Sequence, residues 1–157
     1  LQSFGKQIEH QPGEPIWEVM RMIGTDLVGY LTSLRSRLDF VAQYCEIWMM
    51  VQGSSEWKVL FMPYTESPPE EVSGALGWHV KALGLEEEIL ALVYPDSRGK
   101  GYGMRRFNDD QRLDFSLLQN EADIRFAHAR GFIAKTSSTD PDRLKVLLNQ
   151  AYREKEA

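Results

Sequence analysis

From residue 14 to 45, apolar side chains recur in steps of three and four: Ile16, Met20, Ile23, Leu27, Tyr30, Leu34, Leu38, Val41 and Cys45. That spacing holds one stripe on one side of an α-helix. Pro15 suits a first turn, whereas Gly24 and Gly29 each weaken the interior by about 1 kcal/mol relative to alanine, which leaves room for a bend or break there. Thirty residues of straight helix would reach about 45 Å, longer than a small domain is wide and suited to joining two bodies.

The period then changes. Glu46–Gln52 and Trp57–Met62 are short runs rich in aromatic and β-branched residues, separated by Gly53-Ser54-Ser55, and predict a β-hairpin. Ser67-Pro68-Pro69-Glu70 has the form of a capping box, and Val72, Leu76, Val80 and Leu83 give the helix it would open a buried stripe. Glu88–Tyr94 and Tyr102–Phe107 predict a second hairpin around the Pro95–Gly101 turn. A short helix is expected over Leu113–Gln119. Short extended pieces follow at Ile124–Ala127 and Phe132–Thr136, and Asp140-Pro141 opens a last helix with Leu144, Leu147, Leu148 and Ala151 inward. The expectation is an α/β fold: a mixed sheet of about five strands with helices packed on it, preceded by the long helix.

Composition narrows the class. With 157 residues, 43% hydrophobic and 17 aromatics, the chain is long and apolar enough for one self-supporting core and is not disordered. No apolar run approaches the roughly 20 residues that span a bilayer, so a cytoplasmic protein without membrane partners is expected. A single cysteine, Cys45, excludes an internal disulfide and a cysteine-built metal site. The opening Leu1 admits a proteolytically matured chain or a domain excised from a longer protein, and the second is the expectation here.

Charge is uneven. Against a net −5, residues 98–135 carry 8 basic and 5 acidic side chains, while residues 1–97 carry 6 basic and 14 acidic. A local anion site inside an acidic molecule fits this, and so does a solvated strand-and-loop face. His10, His79 and His128 are far apart and match no two-ligand spacing, so no metal is expected in this chain. Cys45 lies on the helical stripe, where cysteine behaves as a small hydrophobe. The glycines of Gly99–Gly103 match no phosphate-binding motif and read as a flexible hairpin tip. Ser73, beside Gly74 at a helix start, is suited either to touching a phosphate or to packing.

The most informative stretch is Ile124–Ala134, in which apolar segments flank His128-Ala129-Arg130-Gly131. Arginine offers a planar fork and histidine a directional donor, a pair suited to phosphate or carboxylate; Arg105 can face the same cleft. The competing reading keeps His128 as a hydrogen-bonded structural residue and the arginines as solvated.

Four segments together resemble the C-terminal (DHHA1-type) domain of DHH-family phosphoesterases, which include RecJ-type exonucleases, oligoribonucleases and Myg-type exonucleases. They are Ser73-Gly74-Ala75-Leu76-Gly77, Ala91-Leu92-Val93-Tyr94, Gly103-Met104-Arg105-Arg106 and Phe126-Ala127-His128-Ala129-Arg130-Gly131-Phe132. The resemblance covers roughly residues 25–152 and looks closest to the Myg-like branch. It implies a substrate-binding domain over 46–157, preceded by a connector over 1–45. Arg105 and His128 would hold substrate phosphate, with Arg130 and Ser73 nearby. The implied ligand is a nucleotide or short single-stranded oligonucleotide. The implied partner is the chain's own N-terminal DHH domain, which would carry the catalytic Mn or Mg ions, so these 157 residues alone would not hydrolyse phosphodiesters. The family's glycine-rich histidine loop is glycine-poor here, which keeps open a free-standing binding or regulatory domain of the same fold.

Overall fold

The structure, a computed structural model, describes residues 11–154. Its elements follow in the order α1 (Pro15–Tyr44), β1 (Glu46–Gln52), β2 (Ser55–Phe61), α2 (Val72–Leu83), β3 (Ile89–Pro95), β4 (Tyr102–Arg106), β5 (Ile124–Ala127), β6 (Ile133–Thr136) and α3 (Pro141–Ala151). A 3-10 turn at Phe115–Leu118 replaces the short helix expected there. The fold is α/β, built on one mixed sheet of six strands in the order β1-β2-β3-β4-β6-β5. Only β2 and β3 run parallel, with α2 in the connection between them; every other neighbouring pair is antiparallel. The sixth strand arises because Ile124–Ala127 and Phe132–Thr136 pair with each other, and β6 alone then pairs with β4.

The chain divides into two compact units, one ending at Ser36 and one beginning at Arg37. In the first, α1 is continuous through Gly24 and Gly29. Its apolar stripe, including Met20, Ile23, Leu27 and Tyr30, is exposed. In the second, the last turns of α1 contribute Leu38, Phe40, Val41 and Cys45 to the core beneath α2.

Alternation along the strands sorts side chains onto two faces. One face, with Trp48, Trp57, Val59, Ala91, Val93, Met104 and Ala134, is covered by Leu144, Leu147, Leu148 and Ala151 of α3. The other face, with Leu60, Ile89 and Leu92, is covered by Ala75, Leu76 and Val80 of α2. Gly53 takes a positive φ of 60° at the first position of the two-residue β1–β2 loop, the arrangement that matches strand twist.

The capping box does not form. α2 starts at Val72, and Glu71 occupies the cap position in a left-handed conformation with no side-chain cap bond. A residue preceding proline is disfavoured in the α region, so Ser67 and Pro68 both resist helix, and the first turn is displaced beyond the Pro68-Pro69 pair. Leu83, placed on the buried stripe by spacing, is exposed near the helix end. The cap of α3 is as expected: the Asp140 carboxylate accepts the Asp142 N–H at 3.0 Å, with Pro141 in the first turn.

Candidate functional site

The helix α2 covers the sheet over β2 and β3; among the described residues of the second unit, no helix packs on the same face of β4, β6 and β5. Strand register assembles two rows of side chains on this half-face. In the first, Leu92 pairs with Arg105 and Arg105 with Ile133. The His128 N–H donates to the Ile133 carbonyl at 2.9 Å, extending the ladder one residue past β5. In the second row, Tyr94 pairs with Gly103, Gly103 with Lys135, and Lys135 with Phe126. Arg105 and His128 thus flank Ile133 with two strand spacings, about 10 Å, between their backbones.

Arg105 is exposed and makes no ion pair among the described residues. The adjacent Arg106 faces the opposite side and is consumed structurally. Its Nε donates to Asp109 at 2.7 Å and its Nη1 to the Leu113 carbonyl at 3.1 Å, with the side chain 7% exposed. Arg112 is held by Asp110, and Arg125 by Asp96. Arg106, Arg112, Arg125 and Lys135 are thus tied into ion pairs, whereas Arg98, Lys100, Arg105 and Arg130 make none among the described residues.

His128 sits between aromatic rings, 4.0 Å from Phe132 and 6.2 Å from Phe126 by ring centroids. Its Nδ1 accepts the Arg130 backbone N–H at 3.1 Å, which in the neutral ring places the proton on Nε2. That leaves an Nε2–H donor without a partner among the described residues. Gly131, at φ 78°, closes the turn by donating to the His128 carbonyl at 2.8 Å. A Cβ there would overlap the Asp114 carboxylate, so this glycine is required. Arg130 is exposed on the same turn.

Beside these rows lies a cleft of about 1170 Å³. The segment from Met62 to Ser73 forms one wall and the hairpin from Tyr94 to Gly103 another, with Ile133 and Lys135 on the sheet side. Ser73 lines this cleft at the uncapped start of α2. Ile133 belongs both to the cleft and to the Arg105–His128 row, so the row adjoins the cleft at that residue, although neither Arg105 nor His128 lines it. Two glycines of the hairpin, Gly101 and Gly103, are packing residues. A Cβ on Gly101 would overlap the Thr136 carbonyl, and one on Gly103 would come within 3.1 Å of the Tyr94 ring.

Electrostatics inside the cleft turn on Asp96, whose side chain is 5% exposed. Burial opposes its ionisation, but the Arg98 N–H, Lys135 and Arg125 outweigh burial and hold its carboxyl below the usual range. Arg125 reaches it at 2.8 Å and Lys135 at 3.7 Å. Burial likewise pushes the Tyr94 phenol up, partly opposed by the charge on Arg105. Both groups stay in their ordinary forms at neutral pH: Asp96 anionic, Tyr94 neutral.

Of the four residues singled out by sequence, Arg105 and His128 share one face, Ser73 borders the adjoining cleft, and Arg130 lies on the His128 turn. Lys135, Tyr94 and Phe126 were not selected. The signal that finds them is the two-residue period: Gly103/Arg105, Ile133/Lys135 and Phe126/His128 are same-face pairs. Among the described residues, no three His, Cys, Asp or Glu side chains converge on a possible metal position. His10 lies outside the described residues. Among the described residues, no helix is long and apolar enough to cross a membrane. Comparison with models of protein families, with curated proteins and with solved structures returned no match.

Proposed function

We propose that this chain binds nucleotides or short oligonucleotides by their phosphates, as the substrate-binding domain of a DHH-type phosphoesterase. The observation that carries the reading is the placement of Arg105 and the Nε2–H of His128 on one open sheet face, on either side of Ile133. An exposed guanidinium without an ion pair and an oriented imidazole donor suit an anion with several oxygens. Lys135, one row away, adds positive charge, tempered by its contact with Asp96. Arg130 extends the basic rim, and Ser73 offers a hydroxyl from across the cleft. In this reading the chain binds and orients substrate. The metal ions and the attacking hydroxide belong to a catalytic half outside these residues, so no hydrolytic step is assigned here.

Titration of the purified chain with AMP and with a dinucleotide, by calorimetry at low and high salt, tests the reading. Binding that weakens with salt and falls at least tenfold in Arg105→Ala is expected. Equal affinity in the variant would remove Arg105 from the site.

A second reading, a free-standing binding or regulatory domain, is favoured by the His128 turn. The N–H groups of His128, Arg130 and Gly131 are all spent on bonds within the turn or to β6. Little of the backbone is left there to cradle a phosphate. The absence of thermal stabilisation by any phosphate ligand would support this second reading.

A further inference from the structure

A phosphate held by Arg105 and His128 occupies only the edge of the site. The adjoining cleft, at about 1170 Å³, is far larger than a phosphate and large enough for a sugar and base. Its lining mixes charges: Lys135 is paired there with Asp96 and Glu71 with Arg37, while Lys100 and Glu70 also line it. The Arg105 row meets the cleft at Ile133, so a phosphate held by that row leaves the sugar and base to enter the cleft.

Tyr64, 74% exposed, lines the same cleft. Its ring makes no aromatic contact among the described residues. Its backbone is nonetheless anchored. The Tyr64 N–H donates to the Oη of buried Tyr102 at 3.0 Å, and the Met62 N–H donates to the Val93 carbonyl at 2.8 Å. An exposed aromatic ring on a fixed backbone, lining a cleft beside a cationic sheet face, has the properties of a base-stacking platform: apolar area is presented at little entropic cost. Pro63 and Pro69 continue the apolar wall beside it.

We infer that the cleft holds the base of a nucleoside phosphate against Tyr64 while the phosphate lies toward Arg105 and Lys135. This inference rests on the phosphate-binding reading above and adds to it the base as a recognised group.

The test compares AMP with ribose 5-phosphate, which carries the same phosphate and sugar without a base, by calorimetry on the wild-type chain, Tyr64→Ala and Tyr64→Phe. AMP is expected to bind about tenfold tighter than ribose 5-phosphate. That advantage is expected to vanish in Tyr64→Ala and to survive in Tyr64→Phe, with ribose 5-phosphate unaffected by either change. Since the ring is exposed, all three proteins are expected to share one melting temperature. Equal binding of AMP and ribose 5-phosphate to wild type, or an unchanged AMP affinity in Tyr64→Ala, would overturn the base subsite and leave the phosphate site standing. Failure of both ligands to bind the wild type would remove the phosphate site and the base subsite together.

Discussion

The ring of Tyr94 closes over Gly103, its cross-strand partner, so that a side chain at 103 would stand 3.1 Å from the ring. The missing Cβ gives Tyr94 its place on the sheet and lets the cleft reach down to the backbone of β4. Gly103→Ala is expected to move the ring by a few tenths of an ångström and to destabilise the fold by about 1–2 kcal/mol. Urea denaturation measures the loss; an unchanged midpoint would mean that the ring shifts without resistance.

Arg105 and Arg106 are neighbours in sequence with opposite fates. Arg106→Ala strips partners from Asp109 and the Leu113 carbonyl and is expected to cost about 1–3 kcal/mol. Arg105→Ala, removing an exposed side chain without an ion pair, is expected to change stability by no more than about 0.5 kcal/mol. Thermal melts of the two variants side by side check this; a large loss in Arg105→Ala would make that residue structural.

Asp96 gives the chain an acid-sensitive element. Its folded carboxyl lies below the ordinary value of about 3.9, so its stabilising contribution is present above that value and is lost as pH falls through the folded one. Asp96→Asn is expected to be less stable than wild type at pH 7, with the gap narrowing below about pH 4. A gap that holds constant from pH 7 to pH 3 would show that the charge of Asp96 contributes nothing.

At the root of the core beneath α2, burial pushes the Cys45 thiol up, with its own backbone N–H opposing and Glu46 adding to the shift. Thiolate, the reactive form, is therefore scarce at neutral pH. Alkylation by iodoacetamide at pH 7.5 is expected to be at least tenfold slower in the native protein than in urea, consistent with a packing role. Equal rates would place the thiol in solvent.

At Gly131, alanine would meet both an unfavourable φ and the Asp114 carboxylate. Gly131→Ala is expected to destabilise the fold by about 1–3 kcal/mol and to shift the His128 ring resonances, because the turn that fixes Nδ1 is re-formed. Unmoved His128 resonances would mean that the turn is set by other contacts.

Much of the fold was legible along the chain because its signals are local. Runs of apolar, aromatic and β-branched residues marked the strands, Gly53 marked the tight β1–β2 turn, and Asp140-Pro141 marked the start of α3. Each of these depends on a residue's own conformational preferences. The Ser67–Glu70 signal failed for an equally local reason, since the first proline sits before a second and resists the helix it was expected to open.

The sequence by itself determined the element types, the mixed α/β class and the concentration of basic residues in 98–135, because periodicity and side-chain charge need no partners to be read. Tertiary structure decided which of those charges remain available. Arg106 is spent on Asp109 and Leu113, and Arg125 on Asp96. Arg105, by contrast, emerges beside Ile133 and His128. That sorting depends on cross-strand register, which juxtaposes residues as far apart in sequence as Tyr102 and Thr136. Pairing of β4 with β6 put Arg105 and Lys135 on one face, and the open end left by α2 made a cleft of it. No local pattern encodes either, because strand order and helix coverage are settled by the packing of the whole core.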